Sequence, residues 1–344
     1  MFPTFHLFRH TENVRRPAIR LLAVTVAMAM LHTLFLVPAA LAQNFGGWNR
    51  AESVDSERAF GVNSFRNDGC PYEAPDGGTL FFASDRDPNG PPTALPKDLD
   101  IWIAHWDDAQ GRWGDAEPLP SPVNTGAAEF CPTPVPGNRL LFVSTRSSNP
   151  CGANPNIYYT QLVMHPKPTW RTPVPLPCGA TSVNSPFQEW SPSLVEAGGR
   201  TWLYFSSTRD TGTLAQKIYV TELQADGTWS DAQLVPELSS ALSDARPNVR
   251  KDGLEIVFDS NRAGSFDIYT STRGSVDEPW LPPVPLGTNV NDPNADETRA
   301  TLSRDGTRLY FGSTRANGVL GGSGADIYVS TRPGPGLRLG QNGD

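Results

Sequence analysis

The sequence predicts an all-β fold, a five-bladed β-propeller of four-stranded blades, closed by an N-terminal strand that joins the last blade. Three observations predict it. One phrase recurs five times, as "TLFFASDR" (79–86), "LLFVSTR" (140–146), "LYFSSTR" (203–209), "EIVFDSNR" (255–262) and "RLYFGSTR" (308–315). No stretch after the first 42 residues sustains a 3.6-residue apolar period, whereas Phe, Tyr, Ile and Val crowd short segments bounded by turn residues. The repeat is also out of phase at its ends. An orphan tryptophan segment, "GGWNRAESV" (46–54), opens it, and the last unit stops at "DIYVSTR" (326–332) without one.

Each unit begins with a short strand headed by an acid: Asp68, Glu129, Glu189, Asp244 and Glu297. A tight turn follows, such as "PDGG" (75–78), "KDG" (251–253) or "RDG" (304–306). The repeated phrase is the second strand. It is apolar on both faces, so both faces must be covered, as happens when small twisted sheets stack radially. An Ile-aromatic strand comes third: "DIWIA" (100–104), "NIYYT" (156–160), "KIYVT" (217–221), "DIYTS" (267–271) and "DIYVS" (326–330). The fourth segment opens with Trp48, Trp113, Trp170, Trp229 or Trp280, and in four copies a Val-Asn-Ser/Thr/Asp turn follows. The orphan N-terminal segment and the incomplete last unit make one blade when joined. Closure removes the sheet edges that would otherwise template aggregation.

Residues 1–42 read as a cleaved signal peptide: Arg9, Arg15, Arg16 and Arg20 precede an apolar run (21–37), and "AALA" (39–42) ends in a cleavage site. The propeller is expected over 43–333, with a flexible tail over 334–344. The protein is therefore expected to be exported, periplasmic or secreted, without stable membrane insertion after cleavage, and a monomer. Removing the leader's net +3 from the formal charge of −8 leaves −11. An acidic surface repels phosphate backbones, which argues against nucleic acid as a partner. Four cysteines in an exported chain read as two disulfides. Cys70 and Cys131 each stand two residues after the acid of neighbouring inner strands, and Cys151 and Cys178 fall in two loops of one blade. The expected bridges are 70–131 and 151–178.

The turn "DG", then "LYF-x-S-x-R", then "DIY" resembles the repeats of the TolB-like, WD-repeat-like propellers of exported bacterial proteins. The Gly-His and Trp-Asp signatures of WD repeats themselves are missing. The resemblance covers nearly all of 43–333 and implies the propeller fold. The pattern of that family has six blades; this chain has five units.

Propeller topology puts the strand-heading acids, the Ser-x-Arg of the second strand and the loop before the third strand on one face, here the top. Asp68, Glu129, Glu189, Asp244 and Glu297, with Arg86, Arg146, Arg209, Arg262 and Arg315, are the candidate ligand-binding ring. The alternative is that each arginine pairs with an acid of its own or the next blade and pins the top of the strand. Asp85, Asp87 and Asn89 in "DRDPNG" carry oxygen ligands at alternate positions, which makes Ca²⁺ a candidate cofactor, although the closing Glu of a calcium loop is absent. The two histidines beyond the leader, His105 and His165, follow third strands on the opposite face, so no histidine-based catalytic set assembles. These readings lead to a non-enzymatic binding scaffold with a protein or glycan partner on the top face. The rival is a glycan-active hydrolase using two channel carboxylates, as five-bladed glycosidases of the arabinanase type do.

Overall fold

A computed structural model of the chain describes residues 45–55, 61–90, 96–147, 150–152, 154–209, 211–315 and 324–336. The expected leader and residues 337–344 of the expected tail lie outside the described residues, as do parts of the loops at 87–97, 147–155 and 316–325. Among the described residues no helix is long and apolar enough to cross a membrane.

Five antiparallel sheets form, one per repeat. Their inner strands are Asp68–Glu73, Glu129–Val135, Glu189–Ala197, Asp244–Val249 and Glu297–Leu302 for blades 1 to 5. The second strands are Thr79–Ser84, Arg139–Ser144, Arg200–Ser207, Glu255–Ser260 and Arg308–Ser313. The third are Asp100–Asp107, Asn156–Val163, Lys217–Glu222, Asp267–Thr272 and Asp326–Thr331. Inner strands of successive blades pack on one another, and blade 1 packs on blade 5, so the ring is closed. Blade 5 takes its outer strand from the start of the chain, with Glu52 opposite Val329 and Ser53 opposite Tyr328. The closure expected from the orphan segment is the one the ring uses.

The tryptophans do a different job from the one their spacing suggests. In every blade a two-residue outer ladder begins four residues after the tryptophan, and in blades 1 and 2 the tryptophan also ends a ladder of its own, Arg112–Trp113 and Thr169–Trp170. The ring itself packs on the preceding blade: Trp113 meets Tyr310 at 6.5 Å and Trp280 meets Tyr204 at 6.2 Å, both edge-on. Within the blades, Phe82, Phe142, Phe205, Phe258 and Phe311 are fully buried, and the last four stack on the third-strand tyrosine at about 6 Å. Such rings dominate core energetics because each removes a large apolar area from water.

Charged stitches on the bottom face flank the closure. Arg332 of blade 5 grips Glu255 of blade 4 through two bonds of 2.9 and 2.6 Å, and Arg308 of blade 5 grips Glu73 of blade 1 at 2.8 and 2.7 Å. Phe45 lies under the guanidinium groups of Arg250 and Arg332 at 4.6 and 4.0 Å. Both expected disulfides form. Cys70–Cys131 joins the inner strands of blades 1 and 2 with Cα atoms 4.8 Å apart, and Cys151–Cys178 ties two loops of blade 2 at 5.7 Å. Formed bridges accord with an oxidising compartment.

Because blade 5 is completed by the chain's own start, a protein lacking residues 43–54 should lose cooperative thermal unfolding or aggregate, its third strand having become an open edge. A truncated protein with the melting profile of the leaderless chain would show that the closure contributes nothing.

Candidate functional site

The top of each blade is built from one repeated corner, clearest in blade 3. Glu189, with no exposed surface, accepts from Arg209 Nη2 (3.0 Å), Ser207 Oγ (3.0 Å), Ser185 Oγ (2.5 Å) and the Ser185 N–H (3.0 Å). Arg209 donates further to the Val183 and Ser182 carbonyls and lies 5.2 Å over both Phe205 and Tyr219. The constellation recurs as Arg86–Asp68 (2.5 Å), Arg146–Glu129 (3.0 Å), Arg262–Asp244 (2.5 Å) and Arg315–Glu297 (3.0 Å). All ten candidate ring residues are thus placed in five closed corners, the acids without exposed surface. Burial pushes Asp68, Glu189 and Glu297 up, against the pull of their arginines and hydroxyls. In Asp244 burial is outweighed by the Ser240 N–H, Ser260, Arg262 and Lys217, which hold its carboxyl below the usual range.

Of the candidate calcium residues, Asp85 and Asp87 have other partners, and the Asn89 N–H donates to Asp87 Oδ1 at 2.9 Å. Asp87 pairs with Lys97 at 2.9 Å, and Asp85 accepts from the Asn67 N–H at 3.0 Å. Among the described residues no group of three or more His, Cys, Asp or Glu converges as a metal site.

What faces the channel is the residue two places after each acid. All five inner strands carry a bulge there, and Cys70, Cys131, Ser191, Arg246 and Arg299 adopt positive φ of 47 to 61°. A non-glycine residue in this region is strained by roughly 1–3 kcal/mol, and here the strain recurs in every blade. The sequence held a signal for it: Pro71, Pro132, Pro192 and Pro247 follow directly, and proline inside a sheet marks an edge or a bulge. Three of these positions are apolar or neutral. The other two are arginines. Arg246 is held by Asp259 through Nε at 2.9 Å and through Nη2, and the Arg299 N–H donates to the same carboxylate at 2.8 Å.

A second set of positions heads the third strands: Asp100, Asn156, Lys217, Asp267 and Asp326. Lys217 neutralises Asp244 of the next blade at 3.1 Å. Among the described residues the three aspartates form no ion pair, although Lys97 pulls Asp100 down against its other neighbours. Burial, with Glu129 and Asp98 adding, pushes the Asp100 carboxyl up to about 6. Burial, with Asp68 and Asp55 adding, pushes Asp326 up to about 7. Asp267 is raised by the same cause. On the same face Phe187, Leu214 and Leu242 stand exposed in the loops of blades 3 and 4.

No family model matches the sequence, and no curated protein does. Solved structures do. The catalytic domain of the GH62 α-L-arabinofuranosidase of Coprinopsis cinerea is 13% identical, with 84% of this chain and 97% of that one covered and a TM-score of 0.54. The GH43 endo-arabinanase of Bacillus licheniformis is 15% identical, with 78% and 95% covered and a TM-score of 0.50. A structure named as a putative TolB from Agrobacterium tumefaciens matches at 12% identity, with 86% of this chain and 100% of that one covered and a TM-score of 0.43. At these identities the likeness is one of fold. The expectation of a non-enzymatic scaffold is corrected to this extent: the two proteins matched here over nearly their whole length are named as an arabinofuranosidase and an endo-arabinanase, not as binding scaffolds.

Two outcomes test the electrostatics. Arg209→Met should cost about 3–5 kcal/mol of unfolding free energy by stranding buried Glu189, and Glu189→Gln in the same chain should restore part of it; a neutral single substitution would make the corner dispensable. Asp326 has its folded pKa raised above the unfolded value, so its favourable contribution is full below about pH 4 and is lost as pH rises through about 7. Asp326→Asn, the residue type already present at Asn156, should therefore match the wild-type Tm at pH 4 and exceed it at pH 8.

Proposed function

We propose that the protein is a glycan-active hydrolase working on its top face. The observation that carries this reading is the pair Asp326 and Asp100, half-buried carboxyls heading third strands in adjacent blades and pushed to about 7 and about 6. A glycosidase needs two carboxyls of unlike protonation, one to protonate the leaving oxygen and one to work ionised. The inner-strand acids serve poorly, each being spent on an arginine and hydroxyl or N–H donors. The third-strand acids break the fivefold pattern, since blades 2 and 3 carry Asn156 and Lys217 instead.

In this reading Asp326 holds its proton to near neutrality and gives it to the glycosidic oxygen as the C–O bond breaks. Asp100, ionised above about 6, takes a proton from the water that attacks the anomeric carbon. Exposed Phe187 offers a ring on which an apolar sugar face can stack. The names of the two structural neighbours support a furanoside or arabinan-type polymer as the first substrate to try.

Release of reducing sugar should be measured for the leaderless protein on arabinan, arabinoxylan and a panel of neutral and acidic glycans. The expected result is turnover on at least one, with kcat lowered about 100-fold or more in Asp326→Asn and in Asp100→Asn. The acid must be protonated to act, so the wild-type rate should fall as pH rises through about 7. No release from any glycan by the wild type overturns the reading, and full activity in either variant removes that residue from it.

A further inference from the structure

We propose that Arg299, with Arg246 beside it, is a binding site for one carboxylate group at the mouth of the central channel. The inference does not rest on the hydrolase reading, since a binding protein and an enzyme would use the same fork.

Charge accounting comes first. The Arg246 guanidinium and the Arg299 backbone N–H take the oxygens of a single carboxylate, Asp259, which leaves the Arg299 guanidinium without a bonded counter-charge. The Arg299 side chain donates to nothing among the described residues, and its Nε is buried without a partner. A buried donor left open points to a missing water or ion. Burial and the neighbouring Arg246 charge pull the Arg299 guanidinium down to about 10. One net positive charge therefore stands open in an otherwise acidic protein.

The site is shaped to hold that arginine. Bulged backbone with φ of 61° aims Arg299 at the channel, and its Nη1 passes over Gly69 of blade 1, where a Cβ would come within 2.9 Å. The cavity in front has a volume of about 20 Å³, and its lining includes both arginines, Ser191 and the Cys70–Cys131 pair but no acid. Roughly one water needs 10–15 Å³ of such space. A space of that size takes the oxygens of one carboxylate and excludes a sugar ring, so a uronic acid would present only its carboxyl to it. The planar fork of arginine matches the two oxygens of a carboxylate, and such charge-assisted pairs are the strong ones.

The carboxylate could belong to a free organic acid or to a uronate-bearing glycan, and two probes separate these sources. The leaderless protein should be titrated at constant ionic strength with sodium acetate, sodium glucuronate and glucose while Tm is followed, since a ligand of the native state raises it. Acetate and glucuronate should raise Tm and glucose should not; a preference for glucuronate of tenfold or more assigns the glycan source, and equal effects assign the free acid. Arg299→Gln should weaken binding at least tenfold, and Arg299→Lys, which keeps the charge but loses the fork, should weaken it less. In case the variants fold poorly, the wild-type Arg299 Nε–H resonance, identified by its loss in Arg299→Lys, should move on adding acetate. No Tm shift with either anion, a resonance that stays still, or Arg299→Gln binding as well as wild type would overturn the site.

Discussion

The structure depends on one interaction, the buried clamp between a strand-heading carboxylate and the arginine two residues past the end of the second strand. Burying an ion pair is costly unless every lone pair and proton is satisfied. Here the carboxylate takes the guanidinium, a serine hydroxyl of the same strand, and a hydroxyl and N–H of the preceding turn. The guanidinium in turn takes that turn's carbonyls and covers the Phe and Tyr rings beneath it. Five short sheets with two-residue outer ladders would hold one another weakly by backbone pairing alone. The clamp fixes where each blade's entry turn, second strand and third strand meet.

That role explains why repetition and chemistry separate in this molecule. A residue present in every blade is fixed by what each blade needs in order to close, so its polar groups are already used. Chemistry is left to positions where the blades differ. At the channel the same bulge carries two cysteines, a serine and two arginines; at the third-strand heads it carries three aspartates, an asparagine and a lysine. Asp259 stands in the second strand where the other blades have Ala83, Val143, Ser206 and Gly312. Both candidate sites come from such departures.

The fold was legible because its signals are local and repeated: the phrase, the turns and the Ile-aromatic strand each recur five times, and the unmatched ends announce the closure. The disulfides were legible by the same equivalence of positions. The site was less so. The sequence shows that Asp68 and its equivalents head the inner strands and offers their pairing with the arginines as one of two readings, but not that Ser64 and Ser84 close the rest of that carboxylate. A bulge at the following residues turns a different side chain to the axis, and the prolines that mark it are easily read as ordinary turn residues. The third-strand aspartates were in plain view within "DIWIA" and "DIYVS". Their raised pKa values come from burial beside the next blade's acid, and no strand taken alone reveals that.

The bulge has a consequence for how such a ring can change. Its direction is set by backbone shape, which turns the side chain toward the axis in every blade. Cysteine, serine and arginine already occupy the position in one molecule without disturbing the sheets around them. The five bulges therefore act as interchangeable sockets. Single substitutions at 191 and 299, which carry neither the disulfide nor the clamp on Asp259, could change the charge of the axis while the blades stay as they are, so a lineage of such rings can diversify its ligands without reinventing its scaffold.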